Sequence, residues 1–162
     1  MLIEKDFTTI EEMHRAARGF LNAASLLYAD CPSWEYYALH APAFAVNLSF
    51  ACEISLKEAL LLTGNSYKGI HYLDDLFAAL PKDIQLRIQD AFQIKCPNNH
   101  IKNCLRTYRN AFVIWRYLHE QEGSIPVPGD DLFDTAKAIR LIVKELFVAY
   151  AKELGKDFEY AD

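Results

Sequence analysis

Glycine and proline are scarce, six of each among 162 residues. A sandwich or barrel of many short strands needs more of both at its turns, and no stretch alternates apolar and polar residues in the manner of a half-buried strand. Methionine is nearly absent and Cys-x-x-Cys is missing altogether, although cysteines stand at 31, 52, 96 and 104. Without paired spacing or any mark of secretion, free thiols are expected rather than a disulfide framework or a zinc knuckle. There is no phosphate-binding glycine loop, dinucleotide fingerprint, His-Glu-x-x-His or nucleophile elbow. The opening Met1-Leu2-Ile3-Glu4-Lys5-Asp6 lacks the basic-then-apolar order of a signal peptide. The most apolar region, 41–62, is interrupted by Asn47, Ser49, Glu53, Lys57 and Glu58, which suits a buried helix better than a membrane span of roughly 20 apolar residues. A cytoplasmic location is expected.

What the chain does contain is apolar residues, 52% of the total, with a net charge of −5. That composition builds a core, and the acidity disfavours broad contact with a phosphate backbone. The apolar residues recur at helical spacing. Thr8 or Thr9, each followed three residues later by Glu, opens a first helix by a capping box. It runs through Ile10, Met13, Ala17, Phe20, Ala24 and Leu27, and Asp30-Cys31-Pro32-Ser33 stops it. After an aromatic linker, 34–40, a second helix starts at Ala41-Pro42 and ends at Thr63 before Gly64-Asn65. Two shorter helices follow, His71 to Leu80 and Lys82 to Ile94. A long one is expected from Ile101 to Glu120, on the stripe Ile101, Leu105, Tyr108, Phe112, Trp115 and His119, and a last one begins at Asp130 or Asp131. The fold class is therefore all-α, a helical bundle of four long helices with two shorter ones between the second and third, as one domain over 1–162.

Chemistry-bearing residues are sparse. Cys96, His100 and Cys104 recur at steps of four, but Pro97-Asn98-Asn99 breaks the helix that would align them, so no metal or other cofactor is expected. Arg106, Arg109 and Arg116 alternate with Tyr108, Trp115 and Tyr117. Such mixtures stack on nucleic acid in some proteins and form packed stems in more. Glu53 and Lys57 make an i, i+4 pair, and Arg116 and Glu120 another. Arg116, between two large aromatics, calls for a carboxylate partner. Glu53, set in the middle of an apolar helix, is the expected one across the bundle.

These stretches carry a resemblance. Glu53-x-x-x-Lys57, Leu60-Leu61-Leu62-x-Gly64 and Lys68-Gly69-x-His71-x-Leu73-x-x-Leu76-Phe77-x-x-Leu80-Pro81 resemble the central part of HEPN domains. Asn110-Ala111-Phe112-x-x-Trp115-Arg116-Tyr117-x-x-Glu120 resembles the matching segment of bacterial HEPN-like proteins. The likeness spans about residues 51–120. Ribonucleases of that family carry an Arg followed after four to six residues by a His, one acting on the proton and the other on the phosphorane charge. Arg109-Asn110 has the opening of that motif, but His119 stands ten residues beyond Arg109, roughly 80° around a helix, and no other Arg and His have the spacing.

The resemblance implies a non-catalytic HEPN-like interaction or regulatory module, a homodimer or a companion of a protein encoded nearby, in a toxin–antitoxin, phage-defence or stress system. One alternative is a metal-independent endoribonuclease with an altered site built from Arg109, Arg116 and His119. Another is an RNA- or nucleotide-binding accessory to a nucleotidyltransferase. Glu53, Lys57, His71, Arg116 and Glu120 are the candidates for structural or ligand contacts.

Overall fold

A computed structural model describes residues 4–29 and 31–156, the side chains of 4–6 excepted. Asp30, expected to end the first helix, and the opening segment Met1 to Ile3 lie outside them. The described residues are helical with no strand: α1 Glu4–Ala29, α2 Trp34–Leu62, α3 Leu73–Ala79, α4 Lys82–Gln93, α5 Ile101–Thr107, α6 Ala111–Arg116 and α7 Asp130–Glu153, with a single 3-10 turn Leu118–Glu120 between the last two. None is long and apolar enough to cross a membrane.

Helix α2 carries apolar residues around its whole circumference, with only scattered polar ones, and it sits at the centre. Its buried residues include Phe44, Leu48, Cys52, Leu56 and Leu60. A helix without a polar face must be covered on several sides, and α1, α3, α6 and α7 all pack on it. The pairs Tyr28–Phe44, Phe20–Phe50 and His14–Glu58 descend along α1 while rising along α2, so these two helices form an antiparallel hairpin. Helix α7 runs back along α1, from Tyr28–Asp130 to Phe7–Phe147. There Phe7, Ile10, Phe147 and Ala151 close a small apolar cluster beside the main core.

Three boundaries differ from expectation, each for a physical reason. Helix α2 opens at Trp34, not at Ala41, because the Ser33 hydroxyl accepts the Tyr36 N–H at 3.2 Å and caps it. The added turns carry Pro42 inside a helix, where a missing N–H ordinarily costs about 3 kcal/mol. Stacking of Trp34 on Tyr37 and Tyr36 on His40, with Tyr37 packed against Phe44, supports them. Thr8 and Thr9 are interior to α1 rather than its cap, since Phe7 and Ile10 are buried against α7 and carry the helix past them.

The expected helix 101–120 is divided. The carbonyl of Arg109, which a continuous helix would pair with Val113, instead accepts the N–H of Leu73 at 3.2 Å, while Val113 turns to Asn110. Three long helices therefore build the frame, with four short ones filling one side. At the other end of α2 the stop is as expected: Asn65 N–H bonds Leu60 C=O, Gly64 N–H bonds Leu61 C=O, and Gly64 has φ 73°. This is a Schellman closure, whose left-handed residue suits glycine.

The connection before α7 is pinned by phenols from three elements. Tyr28 of α1 donates to Asp130, Tyr37 of α2 to the Pro128 carbonyl, and Tyr108 to the Val127 carbonyl at 3.0 Å. The Asp130 carboxylate that takes its proton pushes Tyr28 up to about 12, and burial pushes Tyr37 up as well. A phenol whose folded value exceeds its unfolded one near 10 stabilises the fold below pH 10 and loses that contribution as pH rises through the folded value. Tyr28→Phe should therefore be less stable than the parent at pH 8, with the gap closing between pH 10 and about 12. Urea melts at a series of alkaline pH values test this, and a constant gap would refute it.

Candidate functional site

Two places gather chemistry-bearing side chains. The first is a groove of about 290 Å³ formed where the split between α5 and α6 meets α2 and the start of α3. Glu53, His71, Arg109 and Asn110 all line it, with Phe50 and Phe112 as its apolar part. Four residues singled out in the sequence thus share one surface, and the helix break at 108–110 is what turns Arg109 toward α3.

Arg109 faces two carboxylates there. Its Nε lies 3.2 Å from Asp74 Oδ1 and its Nη2 3.3 Å from Asp75 Oδ2, while the guanidinium sits over the Tyr72 ring at 4.2 Å. Two carboxylates on one guanidinium neutralise the charge a phosphate would need. Arg116 and His119 are elsewhere. Arg116 is exposed and lies over Phe112 and Tyr117, 5.5 and 5.2 Å from their centroids. His119 is exposed in the 3-10 turn, 3.5 Å from Glu120. The three catalytic candidates do not face a common point.

The expected Glu53–Arg116 tie is not formed. Glu53 instead takes the ammonium of Lys57 at 2.6 Å, one turn on, and Lys57 also lies over the Tyr67 ring. Arg116 needs no buried carboxylate because the short α6 leaves its head in solvent. Cys96, His100 and Cys104 go separate ways: Cys96 faces Asp134, His100 accepts the Lys102 N–H as a cap, and Cys104 accepts the Thr135 hydroxyl. Burial pushes both Cys52 and Cys104 up, Cys104 to about 12, so neither is a ready thiolate.

The second place lies in the interior, where α1, α2 and α7 meet. Glu58 is wholly buried, and its two oxygens are divided between His14 Nδ1 at 2.6 Å and Arg140 Nη1 at 2.9 Å. Ser55 supplies a further contact to Nη1 at 3.4 Å. Arg140 Nη2 is 3.2 and 3.1 Å from the two ring nitrogens of His14. A donor that near to both nitrogens stands over the imidazole face, because the in-plane lone pairs diverge. The opposite face of the ring stacks on Phe147, centroids 4.2 Å apart and planes 19° from parallel. His14 is thus clamped between a phenyl ring and a guanidinium, and the carboxylate that holds it also holds the guanidinium.

This cluster is the tie between the second helix and a later one that the sequence suggested at other residues. It joins α2 to both α1 and α7, and sequence spacing alone does not bring its members together. No protein-family model, no curated protein and no solved structure matches this chain.

Proposed function

We propose that this chain is a non-catalytic interaction or regulatory module of the HEPN-like kind, acting as a homodimer or with a protein partner encoded nearby, in a toxin–antitoxin, phage-defence or stress setting. The observation that carries this reading is the fate of its Arg and His residues. Metal-free RNA cleavage needs an imidazole and a guanidinium on one phosphate. Arg109 is bound by Asp74 and Asp75, and Arg116 and His119 are placed on separate contacts. Arg140 and His14, an Arg–His pair in direct contact, are clamped in the interior with His14 only 3% exposed. An imidazole stacked on both faces and bonded to a buried carboxylate is architecture before it is an acid or base. Large apolar side chains in solvent, Leu26 on α1 with Trp34 and Leu39 on α2, support a working surface for protein contact.

The decisive measurement is RNA cleavage in the presence of a chelator by the parent chain and by Arg109→Ala, Arg116→Ala and His119→Ala. All four should leave the RNA at the buffer rate. Metal-independent cleavage that disappears in one variant would establish the ribonuclease reading in place of this one. Light scattering behind gel filtration should give twice the 18.6 kDa chain mass for a homodimer; a single-chain mass would leave only the partner-bound form.

A further inference from the structure

Above the buried cluster, α1 and α7 part to leave a cleft of about 370 Å³, and its lining is strongly basic. Arg18 comes from α1, and Lys137, Arg140 and Lys144 come from α7. The spacings explain the convergence. His14 and Arg18 are one turn apart on α1, while Lys137, Arg140 and Lys144 follow at three and four on α7, so each helix turns one face toward the seam. In a chain of net charge −5, four cationic side chains line this one small cavity, two of them beside a carboxylate: Arg140 beside Glu58 and Lys137 beside Asp134. Their number is not an accident of a solvated face, because one of them is built in. Arg140 is only 8% exposed, and Glu58, Ser55 and His14 hold its guanidinium in place.

We propose that this cleft binds the phosphoryl group of a small phosphorylated ligand. Arginine presents N–H groups in a planar fork that matches the oxygens of a phosphate, and one fixed in advance loses little freedom on binding. Glu58 and Ser55 engage Nη1 and the His14 ring lies against Nη2, so the guanidinium is fixed in place, and Arg140 is among the side chains that line the cleft. Arg18 and Lys144 approach from opposite walls, and Asn22 adds an amide that both donates and accepts. Lys137 is held 2.5 Å from Asp134 and 4.3 Å above the Phe133 ring, so its charge is met locally.

Size and surroundings favour a small molecule over a nucleic acid. The volume lies within the range of small-ligand sites, about 300–1,000 Å³. Leu21 and Leu141 add apolar wall, which suits the carbon part of a phosphate ester. A polyanion would extend beyond the cleft onto the rest of a chain of net charge −5, whereas a single phosphoryl group stays within a Debye length, about 8 Å at physiological salt, of the lining cations. The assignment does not depend on the HEPN-like reading. It stands on the cleft alone.

The test is calorimetric titration of the full chain with ribose 5-phosphate, inorganic phosphate, ribose and a short oligoribonucleotide at physiological salt. Ribose 5-phosphate should bind and ribose should not, and both Arg18→Gln and Lys144→Gln should weaken the phosphorylated sugar by about tenfold. Both variants should keep the parent's helical circular dichroism spectrum, recorded alongside the titration. Arg87→Gln, which breaks only the surface pair to Glu145, should bind as the parent does. Tighter binding of ribose 5-phosphate than of inorganic phosphate identifies an ester; equal binding identifies free phosphate, and both support the phosphoryl site. Absence of binding by either phosphate probe, undiminished binding in Arg18→Gln and Lys144→Gln, or binding of the oligoribonucleotide alone would overturn it.

Discussion

Glu58→Ala is expected to destabilise the fold by about 3–5 kcal/mol, a large share of the total for a chain of this size. The carboxylate has no exposed surface and serves two partners, His14 and Arg140, from two other helices. Truncation leaves the guanidinium buried with its charge uncompensated and removes the acceptor of the imidazole N–H. Either defect alone is costly in a low-dielectric interior. Glu53→Ala offers the contrast. Its bond to Lys57 has the same 2.6 Å length, but both groups are partly in solvent and sit one turn apart on one helix, where such a pair contributes about 0.3–0.5 kcal/mol. Urea unfolding followed by circular dichroism measures both.

A double replacement, Glu58→Leu with Arg140→Met, separates the mechanism from simple loss of packing. Removing both charges eliminates the orphaned guanidinium, the larger of the two defects that a single truncation creates, and apolar pairs in place of buried ion pairs are often neutral or stabilising. The double variant should therefore be more stable than Glu58→Ala despite carrying one more substitution. If it is equally or less stable, the cluster's contribution lies in shape and not in charge compensation.

How much of this was legible beforehand follows from the range of the interactions involved. Helix periodicity is local, so α4, α7 and the end of α2 could be read from spacing, and the Gly64 stop from residue type. The division of 101–120 could not. It depends on the Arg109 carbonyl being taken by Leu73, more than thirty positions away. The groove residues Glu53, His71, Arg109 and Asn110 were individually visible because charged or polar residues stand out in apolar segments, and the fold places them on one surface.

The buried cluster was missed for a related reason. Glu53 and Glu58 are five residues apart, roughly 140° around the helix, and α2 carries apolar residues on every side, so no amphipathic phase indicated which carboxylate faced the interior. A usable signal lay in the partners. Arg140 falls four residues after Ala136 and three before Val143, both buried, and His14 falls likewise between Ile10 and Ala17. A basic residue occupying a position within a buried stripe requires an acid inside the protein, and Glu58 lies on the one helix that both stripes pack against.

Phe44→Ala is the second substitution with a large expected effect, about 3–5 kcal/mol. The ring is 2% exposed and stands among three others: Tyr28 stacked at 4.9 Å, Tyr37 edge-on at 6.4 Å and Phe133 tilted at 6.0 Å. Those neighbours come from α1, α2 and α7, so the cavity left by truncation opens where the three long helices meet. The consequence reaches further than packing. Tyr28 and Tyr37 are the phenols that pin Asp130 and the Pro128 carbonyl, and Phe44 fixes the rings that carry them. Loss of Phe44 should therefore release the connection 121–129 while the helices persist, seen as faster amide exchange there than across α2. Combining it with Tyr37→Phe should cost less than the sum of the two, by about 0.5–1.5 kcal/mol, because the hydroxyl has already lost its support. Leu26→Ala, at a side chain 78% exposed, should change stability by no more than about 0.5 kcal/mol. Strict additivity of Phe44→Ala with Tyr37→Phe would show that the ring contacts and the phenol bonds are independent, and the aromatic group would then be core alone.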